Sequence, residues 1–320
     1  MRLRVAAVGV CHTDLSWADG RFGDAFPGVA GHEIAGVVDA VGEGVDALRP
    51  GDRVVASVIR RCGACARCAA GEPTLCERRD ERPQRLFRDG VPVVQAFGTG
   101  GFAEATVVDA SAVLPVPDGV PLTAAAVVGC AVVTGYGAVF RLAEVKPGAT
   151  VAVVGCGAVG VAAVASAAAA GAGRVVALDP DPARREAALA FGASETHAPE
   201  DAPPLAADAV LEAVGSGEAA RLAVALARRG GAVVLMGLPA AGSRLELDHL
   251  DLVVGQKRLL GCNMGNVRPE VDVPAIFELA AAGRLDLAGF VGGTFPLAEA
   301  AAAFADARAR RGLRTVVVPG

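Results

Sequence analysis

Over the first 118 or so residues, apolar positions come in short Val-rich runs such as GVVDAVG, GDRVVASVI and FAEATVV, broken every few residues by Gly, Pro or Asp. Short alternating runs between turn formers predict a β-rich region with irregular loops. From about residue 121 the pattern changes. Strand-like runs (TVAVVG, RVVALD, DAVLEAV, GAVVLMG, KRLLGCN) now alternate with Ala-rich helical stretches at 158–170, 182–191 and 217–228. That alternation predicts βαβ units, a parallel sheet with helices on both faces. Beyond 271, helical runs at 272–282 and 297–310 precede a last strand, RTVVV. The pattern leaves open whether this tail extends the parallel sheet or returns to the first region. The Arg-rich stretch 78–88 reads as an exposed loop.

Two uncharged runs, 120–140 and 151–173, are long enough to cross a bilayer. Both are built of Ala and Gly, which partition weakly into lipid, so they are expected inside a folded core. The start, MRLRVAAVGV, has too short an apolar stretch for a signal peptide and no small-residue cleavage site before Cys11. A chain of 320 residues exceeds one comfortable core and suggests two domains. Its formal charge of -5 argues against nucleic-acid or anionic-membrane partners, which require a basic face. Eight cysteines without a secretory signal point to the reducing cytoplasm, where cysteine clusters bind metal more often than they form disulfides.

Four of those cysteines, Cys62, Cys65, Cys68 and Cys76, form a C-x2-C-x2-C-x7-C run. The short spacings bring thiolates onto one tetrahedral metal, and four protein ligands leave no open position, so a structural zinc is expected. An iron–sulfur cluster shares this ligand set, and two disulfides fit the count but not the compartment.

VAVVGCGAVG places Gly155, Gly157 and Gly160 in a G-x-G-x-x-G motif between a strand and an Ala-rich helix. The next strand ends at Asp179, 19 residues beyond Gly160, where a carboxylate takes the ribose hydroxyls of a dinucleotide. The glycines let backbone approach the pyrophosphate at the helix N-terminus. Asp179 would repel a 2′-phosphate, which favours NAD over NADP.

Cys11 in VCHTD, His32 and Glu33 in AGHEIAG, and Cys130 in VGCAVVTGYG are separately unremarkable: an isolated Cys in an apolar run is usually core. Together Cys11, His32 and Cys130 would make a Cys2His set with one open metal position, but their spacing does not bring them together.

GVCHTDL, GHEIAGVV, GDRVV, the four-cysteine run, GCAVVTGYGAV, VAVVGCGAVG and the closing LRTVVV follow one another as in zinc-dependent medium-chain alcohol dehydrogenases. The chain resembles that family, and its class I and class III branch in particular, over essentially its whole length. The resemblance implies an α/β protein with a GroES-like β-rich catalytic domain (1–131 and 264–320) and a doubly wound Rossmann NAD-binding domain (132–263). It implies a catalytic zinc on Cys11, His32 and Cys130, the ligand set known for alcohol dehydrogenases, besides the structural one. Glu33 would lie behind that metal, and Asp14 would orient His32. Thr13 matches the hydroxyl that meets the substrate oxygen. His12 and Arg314 match contacts to the cofactor phosphates, Arg184 a basic residue near the adenosine ribose, and Thr134 and Val159 nicotinamide contacts. The activity implied is oxidation of an alcohol to an aldehyde or ketone with NAD, by a homodimer or homotetramer.

Departures from the family pattern sharpen these expectations. The family has roughly two more strands ahead of MRLRVAAVGV, so the chain reads as short at its start, with a sheet edge left to cover. Many members carry a proton-relay histidine where this chain has Ser16, which predicts a slower relay ending in water. Val58, at a pocket position that is often aromatic, would widen the pocket for bulky primary or aryl alcohols. The alternatives are a thiol-adduct (S-hydroxymethyl thiol) formaldehyde dehydrogenase, with Arg78, Arg79 and Arg82 as candidate carboxylate partners, and a catalytically impaired NAD- and zinc-binding relative.

Overall fold

The computed structural model describes residues 1–320 apart from 23–26, 82 and 84. In chain order the strands are β1 (Arg2–Val10), β2 (Gly28–Val29), β3 (Glu33–Ala40), β4 (Arg53–Ala56), β5 (Leu86–Arg88), β6 (Val91–Gln95), β7 (Ala105–Val107), β8 (Val113–Pro115), β9 (Thr150–Val154), β10 (Arg174–Leu178), β11 (Glu195–His197), β12 (Ala207–Glu212), β13 (Ala227–Leu235), β14 (Arg258–Gly261), β15 (Val291–Pro296) and β16 (Arg314–Val318). The helices are α1 (His12–Ala18), α2 (Ala66–Ala69), α3 (Leu122–Ala126), α4 (Ala131–Gly137), α5 (Ala158–Ala169), α6 (Pro182–Ala190), α7 (Gly217–Leu226), α8 (His249–Gly255), α9 (Pro269–Ala281) and α10 (Ala300–Arg308).

The chain divides into two compact units. The first comprises Met1–Cys130, Arg268–Phe277 and Asp286–Gly320. Its main sheet runs β15-β16-β1-β3-β4-β8, with β7 also on β1. β1 is paired along both edges, by β3 on one side and by β7 and β16 on the other. The tail strand RTVVV thus closes on the first strand of the chain, through Val8 opposite Val317 and Val10 opposite Thr315. Leu3, Val5, Val8, Ile34, Val54 and Val317 fill the core beneath it, as the period-2 pattern of a half-buried sheet requires. The stretch 78–88 is not loop throughout: β5 pairs antiparallel with β6. Asp89 and Gly90 both have positive φ, 51° and 78°, the D-G hairpin turn that the polarity of the stretch obscured.

The second unit comprises Ala131–Val267 and Glu278–Leu285. Its six strands pair in the order β11-β10-β9-β12-β13-β14, all parallel. The order reverses beside β9, the switch point at which doubly wound sheets bind ligands. Ala152, Val154, Val176, Leu178, Val210 and Val233 form its core. α5 is buried on nearly every side; small side chains let it lie close to α4, where a Cβ on Gly135 would come within 2.5 Å of the Ala163 nitrogen. The uncharged run 120–140 is broken by a tight turn at Val127–Gly129, and the run 151–173 is strand, turn and helix. No single helix among the described residues is long and apolar enough to cross a membrane. Together the two units are a GroES-like β-rich fold and a Rossmann fold.

Candidate functional site: two cysteine-rich clusters and a dinucleotide cradle

β1 ends at Val10, and Cys11 follows in extended conformation at the N-terminus of α1. Asp14, one turn in, is fully buried and accepts three hydrogen bonds. The donors are Cys11 N–H to Oδ2 at 3.0 Å, Gly31 N–H to Oδ1 at 3.0 Å and the His32 ring at 3.0 Å through Nδ1. With Nδ1 held by a carboxylate, Nε2 is the nitrogen left to face a metal. Cys130 arrives just after the turn that ends α3. The ligand atoms of Cys11, His32, Glu33 and Cys130 all lie within 4.8 Å of one another, and all four residues are buried.

The electrostatics of this cluster suit a cation. Arg314 is buried, with its Nε 3.0 Å from Glu33 Oε2 and its Nη1 donating to the Val10 carbonyl at 2.9 Å. The Glu33 pair lacks hydrogen-bond alignment, and among the described residues neither Glu33 oxygen has a hydrogen-bond donor. Burial pushes Glu33 up to about 7 in spite of Arg314. The Cys11 thiol is drawn well below its ordinary value, first by the hydrogen bond from Cys130 and also by Arg314. Burial works against a charged His32, but Asp14 and then Cys11 outweigh it and hold its pKa well above normal. Two thiols, an imidazole and an unsatisfied carboxylate in one buried cluster match a borderline-soft divalent cation, so the residues fit zinc.

Around the cluster, Thr13 is half-buried with Oγ1 3.7 Å from Cys11 Sγ. His12 is exposed on the first turn of α1, Ser16 is half-buried on its next turn, and Val58 is half-buried just after β4. Sequence reasoning missed Phe97, whose ring stands edge-on to His32 with centroids 5.0 Å apart. Its φ of 55° is unusual for a bulky residue, and the glycines of FGTGG were the available signal.

Cys62, Cys65, Cys68 and Cys76 also bring their sulfurs within 4.8 Å of one another. None of the eight cysteines is in a disulfide. Cys62 Sγ accepts from the Cys65 amide at 3.3 Å, Cys76 Sγ from the Cys62 amide at 3.3 Å, and Cys65 Sγ from the Cys68 amide at 3.5 Å. Backbone N–H groups aimed at sulfur favour thiolates; those of Cys68 and Glu77 bring Cys65 down to about 6. These residues fit a closed four-sulfur metal site. Nearby, Arg78 pairs with Glu81 at 3.0 Å and Arg79 lies 3.6 Å from Asp80, while Arg82 lies outside the described residues.

In the second unit the turn from β9 to α5 carries the three glycines. Gly157 precedes the first helical residue, and a Cβ on Gly160 would overlap the Gly155 carbonyl, so only glycine permits this turn. Asp179, buried at the end of β10, accepts from Cys156 N–H at 2.8 Å and Asp181 N–H at 2.9 Å. Arg184 stands 3.9 Å from it. Val159 is half-buried in the first turn of α5, and Thr134 is buried on α4 with Oγ1 4.0 Å from Met264 Sδ. A glycine-rich loop at a helix N-terminus beside a buried carboxylate fits a dinucleotide.

Fold and clusters together define a two-unit, zinc-binding dehydrogenase. The alcohol dehydrogenase GroES-like domain model matches residues 1–118 and the zinc-binding dehydrogenase model residues 158–282. An S-(hydroxymethyl)glutathione dehydrogenase of Escherichia coli is 34% identical over 98% of this chain and 91% of its own. Among solved structures, an alcohol dehydrogenase zinc-binding domain protein from Burkholderia ambifaria is 31% identical, with a TM-score of 0.94 over 100% of this chain and 91% of its own. Benzyl alcohol dehydrogenase from Acinetobacter calcoaceticus is 28% identical, with a TM-score of 0.92 over the same shares. The chain belongs to the zinc-dependent medium-chain alcohol dehydrogenase family and is an oxidoreductase of that family.

Proposed function

We propose that the protein transfers hydride between a primary alcohol, bulky or aryl, and NAD, giving an aldehyde, with secondary alcohols giving ketones. The observation that carries this reading is the buried cluster of Cys11, His32 and Cys130 with Asp14 locked onto His32 Nδ1. Those three residues would hold a catalytic zinc and the four-cysteine run a structural one, two per chain. When bound, zinc supplies a Lewis acid that brings an alcohol hydroxyl toward ionisation near neutral pH, and NAD supplies the hydride acceptor. Asp14 keeps the imidazole turned toward the metal position. Thr13 Oγ1, 3.7 Å from Cys11 Sγ, would take the hydroxyl proton, and with Ser16 where many relatives carry a relay imidazole, the relay would end in water. Glu33 and Arg314 set the charge behind the cluster; His12 and Arg314 are assigned to the cofactor phosphates. Gly155, Gly157 and Gly160 admit the pyrophosphate, Asp179 and Arg184 the adenosine ribose, and Thr134 and Val159 the nicotinamide. A valine at position 58, where the resemblance implies a pocket position that is often aromatic, and the likeness to a benzyl alcohol dehydrogenase support bulky or aryl substrates. The test is an alcohol panel with NAD and NADP on zinc-replete protein, read at the absorbance of the reduced cofactor. No oxidation of any primary or secondary alcohol overturns the reading, and ethanol turned over as efficiently as benzyl alcohol overturns the substrate class.

A second reading, oxidation of a thiol–formaldehyde adduct, draws on the name of the E. coli relative. Against it, Arg78 and Arg79 already pair with Glu81 and Asp80 and lie exposed.

The assembly proposed is a homodimer closed through β14. Among the described strands β14 is bonded only to β13, and beside it Leu250, Val253, Val254 and Leu259 are exposed. A free edge flanked by apolar side chains can pair antiparallel with its own copy about a two-fold axis.

A further inference from the structure

Glu212 closes β12 with only 2% of its surface exposed, and no step proposed above uses it. Its Oε1 accepts from Val214 N–H at 2.7 Å and Gly215 N–H at 2.6 Å. Its backbone carbonyl takes the N–H groups of Met236 and Gly237 at 2.8 and 3.0 Å. Backbone N–H groups, and no ion pair among the described residues, offset part of the burial that raises its pKa. A buried carboxylate persists only when so compensated.

The partners of its carboxylate lie in the loop 213–215 after β12, and those of its carbonyl in the loop 236–238 after the neighbouring parallel strand β13. These loops touch at glycine: a Cβ on Gly237 would overlap the Gly215 amide, and one on Gly215 would come within 2.7 Å of the Leu238 carbonyl. The first loop also abuts the glycine-rich turn, where a Cβ on Gly155 would meet Val214 Cγ2 at 2.6 Å. Three loop tips therefore lean on one another at the ligand-binding end of the sheet.

We propose that Glu212 is a positioning residue whose carboxylate clasps the loop after β12, on which the loop after β13 and the glycine-rich turn lean, and so sets the wall of the dinucleotide crevice. This rests on the nicotinamide reading above. Fixing a wall before the ligand arrives lowers the ordering cost of binding, so the effect belongs in cofactor affinity rather than in chemistry.

The test compares wild type with Glu212→Gln, which keeps the shape and removes the charge. NADH binding is followed by its fluorescence, amide exchange is measured without cofactor, and kcat is measured at saturating NAD. Expected are an NADH Kd raised about tenfold, the scale of one charge-assisted hydrogen bond, faster exchange at Val214 and Gly215, and an unchanged kcat. An unchanged Kd overturns the clasp, as does loss spread evenly over kcat, melting temperature and all amides of the unit, which marks general destabilisation. Wild type that binds neither NADH nor NADPH overturns the nicotinamide reading instead. Should the variant not fold, wild-type exchange decides: Val214 and Gly215 amides as slow as those of β12 support the clasp, and open-loop rates there overturn it.

Discussion

Asp14 Oδ1 and His32 Nδ1 lie 3.0 Å apart although 18 residues separate them, and the carboxylate is wholly buried. The same carboxylate holds the amides of Cys11 and Gly31, so one side chain fixes both the ring and the backbone that carries a neighbouring thiol. Asp14→Asn keeps the volume and loses the charge. It is expected to lower catalytic-metal affinity and kcat/KM by about 10- to 100-fold. Metal analysis after dialysis against a graded chelator, with kcat/KM on the best alcohol, checks it; wild-type values in both would remove Asp14 from the site.

The four-cysteine cluster is closed by its own sulfurs and should act on stability. Cys68→Ser is expected to reduce bound zinc from about two per chain to about one and to lower the melting temperature, because metal binding there is folding free energy. Elemental analysis and calorimetry on the same samples check this. Loss of both metals together would mean that the clusters are not independent.

Asp179 should select the cofactor. Its carboxylate is buried and engaged by the Cys156 amide, and it would oppose a 2′-phosphate. Asp179→Ser removes that like-charge opposition, worth several kcal/mol at close range. The ratio of kcat/KM for NADP to that for NAD is expected to rise at least about tenfold. A ratio that does not move would take Asp179 out of cofactor choice.

Acid sensitivity has an identifiable contributor in Asp208. The Thr150 amide at 2.8 Å and the Arg228 guanidinium at 2.7 Å hold its carboxyl below the ordinary value. A pKa lower in the folded than in the unfolded state adds stability that is complete above the unfolded value and is lost as pH falls through the folded one. Asp208→Asn should therefore cost about 1 kcal/mol at pH 7, after allowance for solvent screening of a partly exposed pair. The difference should shrink below about pH 4. Urea unfolding of both proteins across that range checks the sign.

Dimerisation through β14 predicts that Leu259→Lys with Leu250→Glu shifts the protein toward monomer. Both side chains are exposed in the single chain, so its fold should survive. Sedimentation velocity distinguishes the species, and an unchanged dimer would place the interface elsewhere.

Features encoded within one stretch were legible in the sequence. The glycine motif, the aspartate at the end of the next strand and the four-cysteine run each depend on residues close in the chain, and short-range geometry fixes what such spacings can do. The DG turn within 86–95 was equally local, but the polar Arg-rich stretch before it masked a short strand. Glu212, in the strand run DAVLEAV, carries no such local signal, because the loop it holds matters through its packing against Gly237 on the loop of the next strand.

Long-range relationships belonged to the tertiary structure. Cys11, His32 and Cys130 are single residues on an N-terminal helix cap, a loop before β3 and a turn after α3; resemblance could suggest that they belong together, while spacing could not. The sheet of the first unit brings them within reach, since β1 and β3 pair in register with Gly9 opposite Glu33. Gly9 also leaves the room that the Glu33 carboxylate occupies. Arg314 reaches Glu33 because β16 closes on β1, some 300 residues away in sequence. Periodicity and turn chemistry act over a few residues and therefore determine elements and local motifs; strand pairing acts across the whole chain, and it alone decided which side chains share one buried charge cluster.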